Sequence, residues 1–159
     1  MMIKFDLSAP QGGSLEVSAS DLGLDQAKFS KIHAHLEVEQ LDGGMHVTLE
    51  VRAQARLECD RTLQEFVAPV ANVHEMLLYT YGQKPPDEDM VEQVELEPKQ
   101  RVFDLTETIR DTLMLAIPAR KVAPEAEELQ IQTVFGAPDT EADQRWSALL
   151  AVREEHSHE

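Results

Sequence analysis

Residues 58–66 read ECDRTLQEF and contain the only cysteine of the 159-residue chain, Cys59, two positions before Arg61. A nucleophilic thiol needs a nearby base and an electropositive, accessible setting, and no Cys-His context surrounds this one. A zinc centre needs about four ligands. Thr62 stands where a C-x-x-C motif would place the second. His33 and His35 share one side of an alternating segment and His46 lies close by, while His156 and His158 sit in the polar end. Imidazoles at i, i+2 can ligate a metal, but only with further donors converging on them. No P-loop, GxGxxG, GxSxG or HExxH occurs. The expectation is therefore a protein without catalytic residues, cofactor or metal, with Cys59 acting as a small buried hydrophobe.

The elements around Cys59 are legible from apolar spacing. Ile32, Ala34, Leu36 and Val38 alternate with polar residues, and after Gly43-Gly44 so do Val47, Leu49, Val51, Ala53, Ala55 and Leu57. This reads as a β-hairpin with one wet face. A turn at 43 and 44 would pair Val38 with Leu49, Leu36 with Val51 and Ala34 with Ala53. The outer face would then bring together His35 and Arg52, Lys31 and Arg56, and Glu37 and Glu50. Odd positions from 47 onward point inward, and Cys59 inherits that side. Residues 66–81 return along the sheet with Pro69 at an edge or bulge, although NVHEMLLY also suits a helix. Ile3–Leu7, Leu15–Val17, Val91–Leu96 and Ile131–Phe135 suit short strands. DLTETIRDTLMLAIP is the best helix, with Asp104 as N-cap, Glu107 completing a capping box and Pro118 as stop. Leu105, Ile109, Leu113 and Ile117 line one face of it. A short helix is expected around RWSALLAV. The fold class is α+β: an antiparallel sheet built on a central hairpin, with a few packed helices, in one domain over 1–150 and a polar tail over 151–159.

Charge narrows the partners. Thirty acids against fourteen Lys and Arg give a formal net charge of −16. Such a surface repels phosphate backbones and attracts basic partners. The acids cluster, with six and no base in PDEDMVEQVELEP and six more between Pro124 and Asp143. No apolar run approaches the roughly 20 residues of a membrane span. The opening MMIKFDLSAPQGG lacks a secretory signal pattern. A lone cysteine suits a reducing compartment, so a cytoplasmic protein is expected.

The order of ARLECDRTLQEF, an acidic gap, FDLTETIRDTLMLAIP and QRWSALL resembles the YceD-like family over roughly Ile32 to Leu150. Cys59, Arg61 and Leu63 match its C-x-R-C-L motif. Asp104, Leu105, Leu115 and Pro118 match its D-L…L-x-(L/I)-P helix, and Arg145, Trp146 and Leu149 its terminal R-W-x-x-L-like segment. Thr62 departs from the second cysteine, and ARKVAPEAEEL lacks the cysteines many members place there. Any zinc held through those cysteines in relatives should be missing here, leaving Cys59 as a relic packed in the sheet. The resemblance implies a role in large-subunit ribosomal RNA accumulation and no enzymatic reaction. Expected partners are basic ribosomal proteins or pre-ribosomal particles, with the acidic loops and Trp146 as candidate contact surfaces and core packing as the alternative for Trp146. Direct RNA binding through Lys31, Arg52 and Arg56 is the rival reading, and an unrecognised acid pair in an enzyme a third.

Overall fold

The structure, a computed structural model, describes residues 2–83 and 91–129. The chain divides into two compact units, Met1–Glu127 and Glu128–Glu159; the first contains every element described here. Seven strands and one helix follow in chain order: β1 (Lys4–Asp6), β2 (Gly13–Val17), β3 (Phe29–Leu41), β4 (Gly44–Glu58), β5 (Glu65–Thr80), β6 (Glu92–Leu96), β7 (Val102–Asp104) and α1 (Thr106–Leu115). Strands β2 to β6 form one sheet in sequence order, and β1 pairs with β7. The pairs β2–β3, β3–β4 and β4–β5 are antiparallel, whereas β6 runs parallel to β5.

Strict alternation explains the long central strands. Val47, Leu49, Val51 and Ala55 are fully buried, as are their inward neighbours Ile32 and Ala34 on β3 and Met76 and Leu78 on β5. Residues between them on β4 face the other side and stay partly or fully exposed. Burying one face this completely requires a cover, since period two leaves the whole inner row apolar. Helix α1 supplies part of it through Leu105, Ile109 and Leu113, and Ile3, Phe5 and Leu22 complete one continuous core with the sheet.

The helix is anchored at its start. Leu105 occupies the N-cap position and offers no side-chain bond. Asp104, one residue earlier, accepts from the Thr106 amide (2.9 Å) and hydroxyl (2.6 Å). The Thr106 hydroxyl in turn accepts from the Ile3 amide at 2.8 Å, joining helix and β1. Asp104 thus caps the Thr106 amide as expected, whereas the Glu107 carboxylate lies 3.9 Å from the Arg110 guanidinium, one turn forward. Removing the cap with Asp104→Ala should cost about 0.5–2 kcal/mol, read from chemical denaturation at neutral pH. The Thr106 hydroxyl and amide also hold the Asp104 carboxyl below its ordinary value. Its contribution is complete above the ordinary aspartate range and is lost as pH falls through the depressed folded value. The Asp104→Ala penalty should therefore shrink in acid.

Three expectations need correction. The hairpin turn is Asp42-Gly43, with Gly43 at φ 91°, so Leu41 faces Gly44, Val38 faces Val47, Leu36 faces Leu49 and Ala34 faces Val51. Asp-Gly supplies the left-handed residue inside the turn, and Gly44 joins the strand. The "few helices" reduce to α1 among the described residues, beside single 3₁₀ turns at Ser20–Leu22 and Pro124–Ala126. The sheet is mixed because of β6. Residues 65–80 form one strand, as expected, and the helical alternative for NVHEMLLY does not occur. The segments expected at Ile131–Phe135 and RWSALLAV, and the boundary after residue 150, lie outside the described residues.

Candidate functional site

Beyond Glu58 the chain leaves the sheet in a tight turn. The Leu63 amide donates to the Cys59 carbonyl (2.8 Å) and the Cys59 amide to the Gln64 carbonyl (2.9 Å). Leu63 closes the turn at φ 58° and is 72% exposed, so this motif position serves backbone geometry and not the core. Residues 59–61 then clamp the segment after α1. Asp60 receives the Lys121 amide on its carboxylate (2.7 Å) and donates its own amide to the Lys121 carbonyl (2.7 Å). The Arg61 guanidinium donates to the carbonyls of Ala126 (2.7 Å) and Glu127 (3.0 Å).

Cys59 is fully buried, as expected, but not within the sheet core: it packs with Ala123 and Ala126 in a separate small cluster. Its sulfur accepts from the Ala123 amide at 3.3 Å. That bond and the Thr62 hydroxyl, helped by the Arg61 and Thr62 amides, outweigh burial and bring the thiol down to about 7. Thr62, where a second cysteine would stand, thus supports the first one. A thiol with so low a value holds more thiolate at neutral pH than an ordinary cysteine, the form that binds metals and attacks substrates. It is fully buried, and among the described residues no three His, Cys, Asp or Glu groups converge on a metal position. Because the folded value lies below that of a free thiol, stability should rise between about pH 7 and pH 9, where only the unfolded chain still holds the proton. Unfolding midpoints of the wild type should show this rise, and Cys59→Ser should flatten it.

The outer sheet face corrects the basic patch. Arg52 faces His33, not His35. Arg52 is bound to Glu50 at 2.6 Å, and Arg56 lies 3.4 Å from Glu65. Lys31 sits at φ 51° in a bulge between Ser30 and His33, so it does not pair with Arg56. The extra residue keeps Phe29 on the buried side. Lys31, His33 and Arg52 line one shallow depression of about 510 Å³. Arg56 lines another, of about 350 Å³, with Lys28 and Lys121. The three proposed contacts are thus split, and two are already neutralised by acids.

Other motif positions have distinct places. Asp104 and Leu105 start α1, whereas Leu115 is 77% exposed at its end and Pro118 is exposed beyond it. Arg145, Trp146 and Leu149 lie outside the described residues. Sequence reasoning missed one feature, a recess of about 230 Å³ beside β5 lined by His74, Glu92, Glu107, Asp111 and Leu115. His74 and Glu92 meet there at 2.7 Å. The only advance signal was Pro69, which marked the nearby strand as an edge or a bulge.

Among the described residues no helix is long and apolar enough to cross a membrane. The chain matches no curated protein and no solved structure. A family described as "Large ribosomal RNA subunit accumulation protein YceD" matches residues 47–153. That span takes in most of β4, the Cys59 turn, β5 and α1. Covering more than half of the chain, the match shows that the protein belongs to the YceD family.

Proposed function

We propose that the protein is a cytoplasmic accessory factor of large-subunit ribosome assembly, acting without catalysis through contacts with basic ribosomal proteins or assembly intermediates. Family membership supports the link to large-subunit ribosomal RNA accumulation. The observation that favours a protein partner over RNA is the pairing of the outer-face arginines: Glu50 binds Arg52 at 2.6 Å and Glu65 lies 3.4 Å from Arg56. Phosphate contact would have to break those pairs against a net charge of −16. Affinity for RNA comes chiefly from neutralised phosphates. A basic protein meets no such barrier, and acidic surfaces speed its capture.

The test compares two ligands at physiological salt, protein-free large-subunit ribosomal RNA and a basic large-subunit protein. The basic protein should bind substantially better, and co-fractionation with large-subunit precursors should survive ribonuclease treatment. Tight binding to naked RNA that collapses when Lys31, Arg52 and Arg56 are all changed to Ala would reverse the reading.

A further inference from the structure

Strand β5 spans Glu65–Thr80 and pairs with β4 from Glu65 to Tyr79, but β6 covers only Met76–Thr80. Among the described residues, no strand lies against the other side of residues 65–75. Which backbone groups face that open side follows from three observations. Pro69, opposite Gln54, has no N–H to give β4. The Tyr81 amide bonds the Leu96 carbonyl on the β6 side. The Val73 amide is satisfied by the Asn72 side chain, at 2.9 Å, and not by a strand. Odd-numbered residues therefore turn their amides and carbonyls away from β4. Pro69 and Asn72 partly blunt the edge, while the amides of Val67 and Ala71 meet no acceptor among the described residues. Val67 is 58% and Val73 52% exposed, with Pro69 and Ala71 also exposed between them.

An unpaired edge of this kind is a template for one more strand. Its surroundings specify the strand. Side chains of an added strand would alternate between the two sheet faces. On the outer face they would meet the apolar row of Val67, Pro69, Ala71 and Val73. On the inner face they would meet the acidic recess between β5, β6 and α1, lined by Glu92, Glu107, Asp111 and Leu115. There His74 meets Glu92 at 2.7 Å, and Arg110, 3.1 Å from Asp111 and 3.9 Å from Glu107, offsets one of the three carboxylates. A lysine or arginine stem could lie on Leu115 with its charge among the carboxylates.

We propose that the β5 edge, residues 65–75, binds an extended basic segment of a partner protein by strand addition, with cationic side chains entering the Glu92, Glu107 and Asp111 recess. The inference rests on the reading of this chain as a binder of basic proteins and locates the contact. A second copy of the chain is a poorer occupant. Two β5 edges paired about residue 70 would set Glu65 opposite Glu75 and bring no cation to either recess.

The probe is a synthetic ten-residue peptide alternating Lys with Thr and Val, titrated against the full chain by fluorescence anisotropy. It should bind saturably, while its counterpart with Glu for Lys should not. Ala71→Pro removes an edge donor in phase with Pro69, leaving the β4 ladder intact, and should weaken binding by about tenfold or more. Glu107→Gln combined with Asp111→Asn should weaken it and flatten its salt dependence. If Ala71→Pro does not fold, the wild type decides the matter with a peptide N-methylated at alternate residues, which should fail to bind. No binding of the Lys peptide, equal binding to Ala71→Pro or undiminished binding of the N-methylated peptide would overturn the proposal. So would a dimer in light scattering that Ala71→Pro abolishes. Ribonuclease-resistant co-fractionation that Ala71→Pro leaves intact would overturn the edge alone; its absence in the wild type would overturn the functional reading itself.

Discussion

Replacing Ile109 by Ala is expected to destabilise the protein by about 2–5 kcal/mol, the range for truncating a large buried aliphatic side chain. Ile109 is fully buried, as is Leu113 one turn later, and together with Leu105 they hold α1 on the sheet. No other long helix among the described residues can take over the cover. The loss would consume much of a typical domain's stability of about 5–15 kcal/mol. It would also loosen the element that carries Glu107 and Asp111. Leu115→Ala, at the end of the same helix, should change stability by no more than about 0.5 kcal/mol, because that side chain is 77% exposed. Urea denaturation of both variants measures the contrast directly. Similar losses for the two would mean that α1 presents a different face to the sheet.

The helix face was legible because period 3.6 leaves a distinct stripe, and Leu105, Ile109 and Leu113 fall in it. The buried faces of β3 and β4 were legible for the same reason at period two. The hairpin register was not, and the cause is instructive. Moving the turn from Gly43-Gly44 to Asp42-Gly43 shifts each partner by two residues, which leaves every side chain on its own face. Apolar residues oppose apolar residues in both registers, so the pattern cannot choose between them. The bulge at Lys31 escaped notice because a lysine at positive φ carries no local signature. Its effect, keeping Phe29 buried, emerges only once strands are paired. The direction of β6 was equally hidden, since a five-residue strand reads the same parallel or antiparallel. At the site, Cys59 is buried as alternation suggested, but beyond the end of β4 and against Ala123 and Ala126, not in the sheet core, and neither that cover nor the donors around its sulfur carried a sequence signal. The Ala123 amide comes from 64 residues further along the chain. Thr62 looked like a missing ligand in the sequence; in the fold it is a hydrogen-bond donor to the remaining one.

The two adjacent glycines of the hairpin should respond differently to the same substitution, and Gly44→Ala should be the more damaging. A Cβ at Gly44 would lie 2.5 Å from the Leu78 carbonyl oxygen and 3.3 Å from the Tyr79 Cα. Both obstacles belong to β5, and neither is the movable end of a side chain. The strands would have to separate where Gly44 faces Tyr79, at a cost of about 1–3 kcal/mol for overpacking. At Gly43 a Cβ would meet only the side-chain oxygen of Gln83, at 2.9 Å, which can swing aside. There the penalty is the left-handed backbone at φ 91°, roughly 1–2 kcal/mol for a residue with a Cβ. The consequence at Gly44 reaches further, because Leu78 and Tyr79 also pair with Val94 and Glu95 of β6. Prying β4 from β5 at this end disturbs the seat of β6, and with it Glu92 and the point where the open edge of β5 begins. Hydrogen exchange should therefore show Gly44→Ala loosening the amides of residues 76–80 and of β6, whereas Gly43→Ala should loosen the turn alone. Equal exchange in both variants would mean that the turn, and not the close approach of β4 to β5, holds this end of the sheet in register.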